Sequence, residues 1–83
     1  MKNEAWRKAR LYESEDCLLI KWDEGKVRMG IVYDIKTDKA MAMKDGAPTK
    51  VTKLSKAERE GYDDALDYLI SIAHQRPYDT ILN

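Results

Sequence analysis

The chain has no phenylalanine, one cysteine, one histidine, two prolines and no charge surplus, its 15 basic residues cancelling 15 acidic ones. Each scarcity excludes something. A lone thiol cannot close an internal disulfide, so a disulfide-stapled scaffold is ruled out and a reducing, cytoplasmic setting is expected. The longest apolar run near the start, Cys17-Leu18-Leu19-Ile20, falls short of the about 7–15 residues of a secretory core and the about 18 of a spanning helix, so no membrane partner is expected. Zero net charge removes the basic surplus that simple DNA coating requires. No GxSxG, P-loop, HExxH or paired CxxC pattern occurs, so no enzymatic activity, cofactor or metal is expected.

What is present fits one small domain over residues 1–83. A chain of this length buries only about 60–65% of its unfolded surface, and its stability is on the order of 5 kcal/mol. Apolar residues make up 43% and charged ones 36%, the latter well above the usual quarter. Charge is segregated. Residues 1–12 carry Lys2, Arg7, Lys8 and Arg10 against Glu4, whereas Glu13, Glu15 and Asp16 follow uncompensated. Lys50, Lys53, Lys56 and Arg59 outnumber Glu58 and Glu60, and beyond them Asp63, Asp64, Asp67 and Asp79 face only Arg76. Such patches can steer partners at zero net charge.

The periodicity predicts a helix from about Lys56 to Gln75. Ser55-Lys56-Ala57-Glu58 has the form of a capping box, in which the serine hydroxyl and the glutamate carboxylate satisfy two otherwise orphaned backbone donors. Tyr62, Ala65, Leu66, Leu69, Ile72 and Ala73 then recur at three-four spacing, an amphipathic stripe. Pro77 cannot continue the ladder.

Upstream, Val27, Met29, Ile31, Tyr33 and Ile35 alternate with Arg28, Gly30 and Asp34, the signature of a strand with one buried face. Asp23-Glu24-Gly25-Lys26 and Lys36-Thr37-Asp38-Lys39 read as turns, and Asp45-Gly46 is a tight-turn dipeptide. Strands are therefore expected at Cys17 to Trp22, Val27 to Ile35 and Lys39 to Lys44, with a last one from Thr49 to Leu54. Ala47-Pro48 belongs in a loop or on a sheet edge. The N-terminal residues fit either a helix from Glu4 to Tyr12 capped by Asn3, or a strand from Lys8 to Glu13 joined onward by Ser14-Glu15-Asp16; propensity favours the helix. The fold class is α+β: an antiparallel meander of three to five strands against one long C-terminal helix.

Five features bear on function. Asp63-Asp64-Ala65-Leu66-Asp67 resembles the aspartate-rich box of prenyl-diphosphate enzymes, but those need a second box and a large helical cavity, which 83 residues do not supply. Glu60, Asp63, Asp64 and Asp67 instead make four like-charge pairs at helical spacing, a local cost on the order of 1–2 kcal/mol that suggests a docking stripe for a basic protein partner, with Tyr68 as an aromatic anchor at its flank. His74 with Cys17 makes a nucleophile–base pair only if the fold joins them. The aromatics are all Trp or Tyr, which favour half-wet positions. Lys50, Lys53, Lys56 and Arg59 offer a rival, nucleic-acid-binding surface, with Trp22 or Tyr33 as a stacking platform. Arg28-Met29-Gly30-Ile31-Val32-Tyr33 resembles the strand consensus of RNA-recognition motifs, although it lacks two of the stacking aromatics.

In size, absence of catalytic motifs and acidic patching, the chain is similar to the small inhibitors that phages and mobile elements make against bacterial host systems, including nucleic-acid-guided defence nucleases. That similarity implies a non-enzymatic protein that docks on and blocks a larger one; the alternative is a nucleic-acid-binding module using the basic surface. Ile81 and Leu82, near the end of the chain, would either fold back on the sheet or cross to a second subunit of a homodimer. Deleting residues 79–83 is expected to lower the melting temperature or to dissociate that dimer, as read by thermal melts and light scattering.

Overall fold

The computed structural model describes residues 5–75, so the expected Asn3 cap, the Pro77 helix stop and the Ile81–Leu82 contact lie outside the described residues. Five strands, β1 (Arg10–Glu13), β2 (Cys17–Glu24), β3 (Val27–Asp34), β4 (Lys39–Lys44) and β5 (Ala47–Thr49), form one antiparallel sheet in sequence order. A single helix, α1 (Lys56–Gln75), crosses one side of it. Short 3-10 segments precede β1 (Ala5–Lys8) and follow β5 (Val51–Lys53). The α+β meander with its C-terminal helix is thus present, at the upper end of the expected strand number.

Alternation decides which side is covered. Leu18, Ile20 and Trp22 of β2 stand opposite Tyr33, Ile31 and Met29 of β3, and Ala42 of β4 continues the Ile20–Ile31 row. All seven are buried, and the helix adds Tyr62, Ala65, Leu69 and Ala73 at three-four spacing. Two periods, 2 for the strands and 3.6 for the helix, bring one apolar face of each element together. The turns follow their residues. Gly25 takes φ +64° between β2 and β3, and Asp45 and Gly46 take +51° and +84° between β4 and β5, the pair of positive values that a type I′ hairpin turn demands.

Outside this core the preference for an N-terminal helix and the bounds of the last strand are corrected, whereas the alternative N-terminal strand joined onward by Ser14-Glu15-Asp16 forms. Residues 10–13 form β1 rather than the last turns of a helix, pairing Arg10 with Lys21 and Tyr12 with Leu19. The reason is tertiary: β2 is eight residues long, and a neighbour on its free edge satisfies backbone groups that a weak helix propensity cannot outweigh. The expected strand from Thr49 to Leu54 is instead β5, which ends at Thr49, and a 3-10 turn. As a strand, residues 51–54 would place Val51 and Lys53 on one face and leave Leu54 on the other. The three-residue repeat of a 3-10 turn aligns Val51 with Leu54, and both pack against the core. Pro48 sits on the sheet's outer strand, where no ladder needs its missing N–H.

The capping box forms as the spacing predicts. Glu58 N–H donates to Ser55 Oγ at 3.2 Å, and Ser55 N–H donates to Glu58 Oε1 at 2.9 Å. The same carboxylate oxygen accepts from Lys44 Nζ at 3.1 Å, tying the helix start to β4. Glu58 is nevertheless buried. The Ser55 backbone bond, assisted by Lys44, holds its carboxyl below the usual glutamate range against the opposing effect of burial. A carboxylate with a depressed folded pKa stabilises above its unfolded pKa and loses that contribution as pH falls through the folded one. Glu58→Gln is therefore expected to lower the unfolding free energy by about 1–2 kcal/mol at neutral pH. The difference from the parent protein should shrink from about pH 4.3 downward, as read by urea titrations between neutral and acid pH.

Candidate interaction surfaces

Helix α1 presents three faces. Beneath lie the buried core residues; opposite them Asp63 and Asp67 are exposed, with Glu60 and Asp64 half-buried on either side. The four carboxylates share the outward half of the helix because their spacing of three and four residues returns to the same azimuth each turn. Their neutralisation is slight. Arg59 Nε lies 3.2 Å from Asp63 Oδ1 in an exposed pair, and no ion pair joins Lys56 to Glu60 although their spacing would allow it. His74 is exposed in the last turn, where the helix dipole favours a positive charge.

Tyr68 occupies the flank. It is 44% exposed, and its ring lies 5.5 Å from that of Trp6, tilted by 44°. Trp6 comes from the first 3-10 segment, which packs against both α1 and β2. Its indole Nε1 is buried and has no hydrogen-bond partner, while Arg7 lies over the ring at 5.2 Å. The Trp6–Tyr68 contact therefore fixes an aromatic ledge beside the carboxylate row. Tyr62 belongs to the core as the stripe predicts, and burial, reinforced by Asp63, raises its phenol above the usual value.

The rival surface is only partly assembled. Lys50, Lys53, Lys56 and Arg59 are all exposed along the connection from β5 into α1, but Arg59 is already engaged with Asp63. The proposed stacking platforms are not on the surface: Trp22 is 4% and Tyr33 3% exposed, both beneath α1. Trp22 Nε1 donates to Glu24 and Tyr33 Oη to Asp38. Even-numbered β2 residues and odd-numbered β3 residues face the helix, and that parity withdraws both rings. Cys17 is half-buried on the opposite side of the sheet, not a deep core thiol, and no hydrogen bond joins it to His74. Among the described residues no group of three or more His, Cys, Asp or Glu is placed to hold a metal ion, and no helix is long and apolar enough to cross a membrane.

One surface was not read from the pattern: the side of the sheet away from α1, where Tyr12 and Met41 are each 49% exposed beside half-buried Leu19, Val32 and Met43. Its signal was the second set of alternating residues in β2 to β4, which carries apolar side chains where a wholly solvated face would be polar. No family model, no curated protein and no solved structure matches this chain.

The carboxylate row has a measurable cost. Asp67→Asn removes two like-charge neighbours and is expected to raise the unfolding free energy by about 0.4–1 kcal/mol. Asp63→Asn removes two as well but also the Arg59 pair, so it should gain less. Both gains should vanish in about 1 M salt, where such interactions are screened.

Proposed function

We propose that this chain is a non-enzymatic binding protein that docks on and blocks a larger protein, in the manner of small phage or bacterial accessory inhibitors. Glu60, Asp63, Asp64 and Asp67 meet a basic surface of the partner, such as a groove that otherwise holds nucleic acid, and Tyr68 anchors the contact. The observation that carries this reading is the outward row of carboxylates with only one cation paired to it among the described residues, ending beside an exposed tyrosine held by Trp6. Carboxylates on one helix face imitate a line of phosphates in charge, and an aromatic at the flank supplies apolar area that charge alone does not.

The nucleic-acid reading through Lys50, Lys53, Lys56 and Arg59 is weaker, because the rings that would stack with bases face the helix. The deciding experiment reverses Asp63, Asp64 and Asp67 to lysine in a tagged full-length chain and compares capture from a lysate of its source cells by mass spectrometry. Loss of a protein that the parent chain retains, and whose capture weakens with salt, is the expected outcome. A triple variant that is more stable yet keeps every partner sinks the proposal, and recovery abolished by nuclease treatment transfers it to the basic surface.

A further inference from the structure

A sheet with a helix on one side has a second side to account for. There the side chains run across the strands in register. Arg10, Lys21, Gly30, Met43 and Pro48 form one row, and Tyr12, Leu19, Val32 and Met41 the next. The second row is apolar across four strands, a span of about 14 Å at the usual strand spacing. That matches roughly three turns of α-helix. The first row begins with two cations directly opposite each other, an arrangement that destabilises a sheet. None of the ion pairs among the described residues involves Arg10 or Lys21. Lys21 Nζ rests over the Tyr12 ring at 5.8 Å instead. Arg28, one row further, has Asp23 opposite it in the register, and its backbone N–H donates to Asp45 Oδ1.

Gly30 keeps the centre of this face low. A β-carbon there would lie 3.3 Å from the Ile20 carbonyl oxygen and 3.4 Å from Met43 Cβ, so any side chain would crowd the neighbouring strands. The result is a concavity between Tyr12, Lys21 and Met43, with Lys8, Arg10, Lys21 and Arg28 against Asp23 and Asp45 in its lining, so that a cationic surplus lies beside one apolar row.

We infer that this open face is a second docking site, and that its occupant is an acidic amphipathic helix of a protein partner. Its apolar ridge would lie along Tyr12, Leu19, Val32 and Met41, with its carboxylates on Arg10 and Lys21. The charge selects an anionic partner. The apolar row selects a peptide over a nucleic acid, because stacking needs ring faces and the only outward ring in the row, Tyr12, already carries the Lys21 ammonium. Leucine, valine and methionine are the side chains that accept a helix ridge, methionine adapting its shape to it. A second copy set face to face would bring two sets of unpaired cations into one interface. This site is separate from the carboxylate row of α1, so either surface can fail without the other.

The test titrates the full-length, isotope-labelled protein with three probes and maps amide shifts. The probes are a synthetic helix of about 18 residues with leucine at three-four spacing and glutamate elsewhere, the same peptide with lysine for glutamate, and a single-stranded uridine oligomer. The acidic peptide is expected to shift residues 10–12, 19–21, 30–32 and 41–43, and to bind at least about tenfold more weakly to Arg10→Glu/Lys21→Glu or in high salt. The lysine peptide should leave these positions unmoved. Met41→Ser, which keeps every charge, should weaken the acidic peptide and separate apolar docking from simple charge attraction. No shifts on this face, shifts confined to α1, or tighter binding of the oligomer than of the peptide would each overturn the inference. So would a dimer in light scattering that Met41→Ser disperses, which would give the face to a second copy.

Discussion

A helix about 10 Å across cannot cover five strands, and the described residues hold only one α-helix. It starts beside β4, where Lys44 holds Glu58, and runs over β3 and β2 to the first 3-10 segment, where Tyr68 meets Trp6. What the helix leaves bare on that side is filled by short pieces: Ala5, Trp6 and Ala9 beside β2, Val51 and Leu54 at the other margin. The far side of the sheet has no covering element among the described residues. Most of the surface features follow from that imbalance between sheet width and helix number.

Glu58 joins the layers. Its oxygen serves the Ser55 backbone and the Lys44 ammonium at once, so the start of the helix and its position over the sheet are set by one carboxylate. In a small core, where each buried side chain is a large share of the total stability, a charged group earns its burial only when every hydrogen-bonding partner is in place. Here the partners come from a turn and a strand that are adjacent in space only once the meander has closed.

Zero net charge conceals an uneven molecule. The outward half of α1 is acidic, whereas the open sheet face carries Arg10 and Lys21, neither of them in an ion pair among the described residues. Both arrangements place like charges next to each other at a local cost, on a helix in one case and across two strands in the other. Neither is needed by the core. Surfaces that tolerate such repulsion in a domain with little stability to spare are the natural places to look for partners of opposite sign.

Local patterning was enough for α1, with its Ser55–Glu58 box and its stripe through Leu69, for the β2–β3–β4 meander with its turns at Gly25 and Asp45-Gly46, and for the carboxylates on the outer helix face. In each, neighbours in sequence supply the interactions that decide the conformation. The fate of residues 10–13 and 51–54 was settled elsewhere: one segment was captured by the free edge of β2, the other was bent into a 3-10 turn so that Val51 and Leu54 could both reach the core. The pairing register put Trp22 on the same side as Tyr33, whose place on the buried face the alternation already gave, and turned Tyr12 outward. Sequence alone determined what α1, β2, β3 and β4 would be, because propensity, capping and periodicity act within a few residues. Tertiary structure decided which faces remained for other molecules, because exposure depends on which element comes to lie on top.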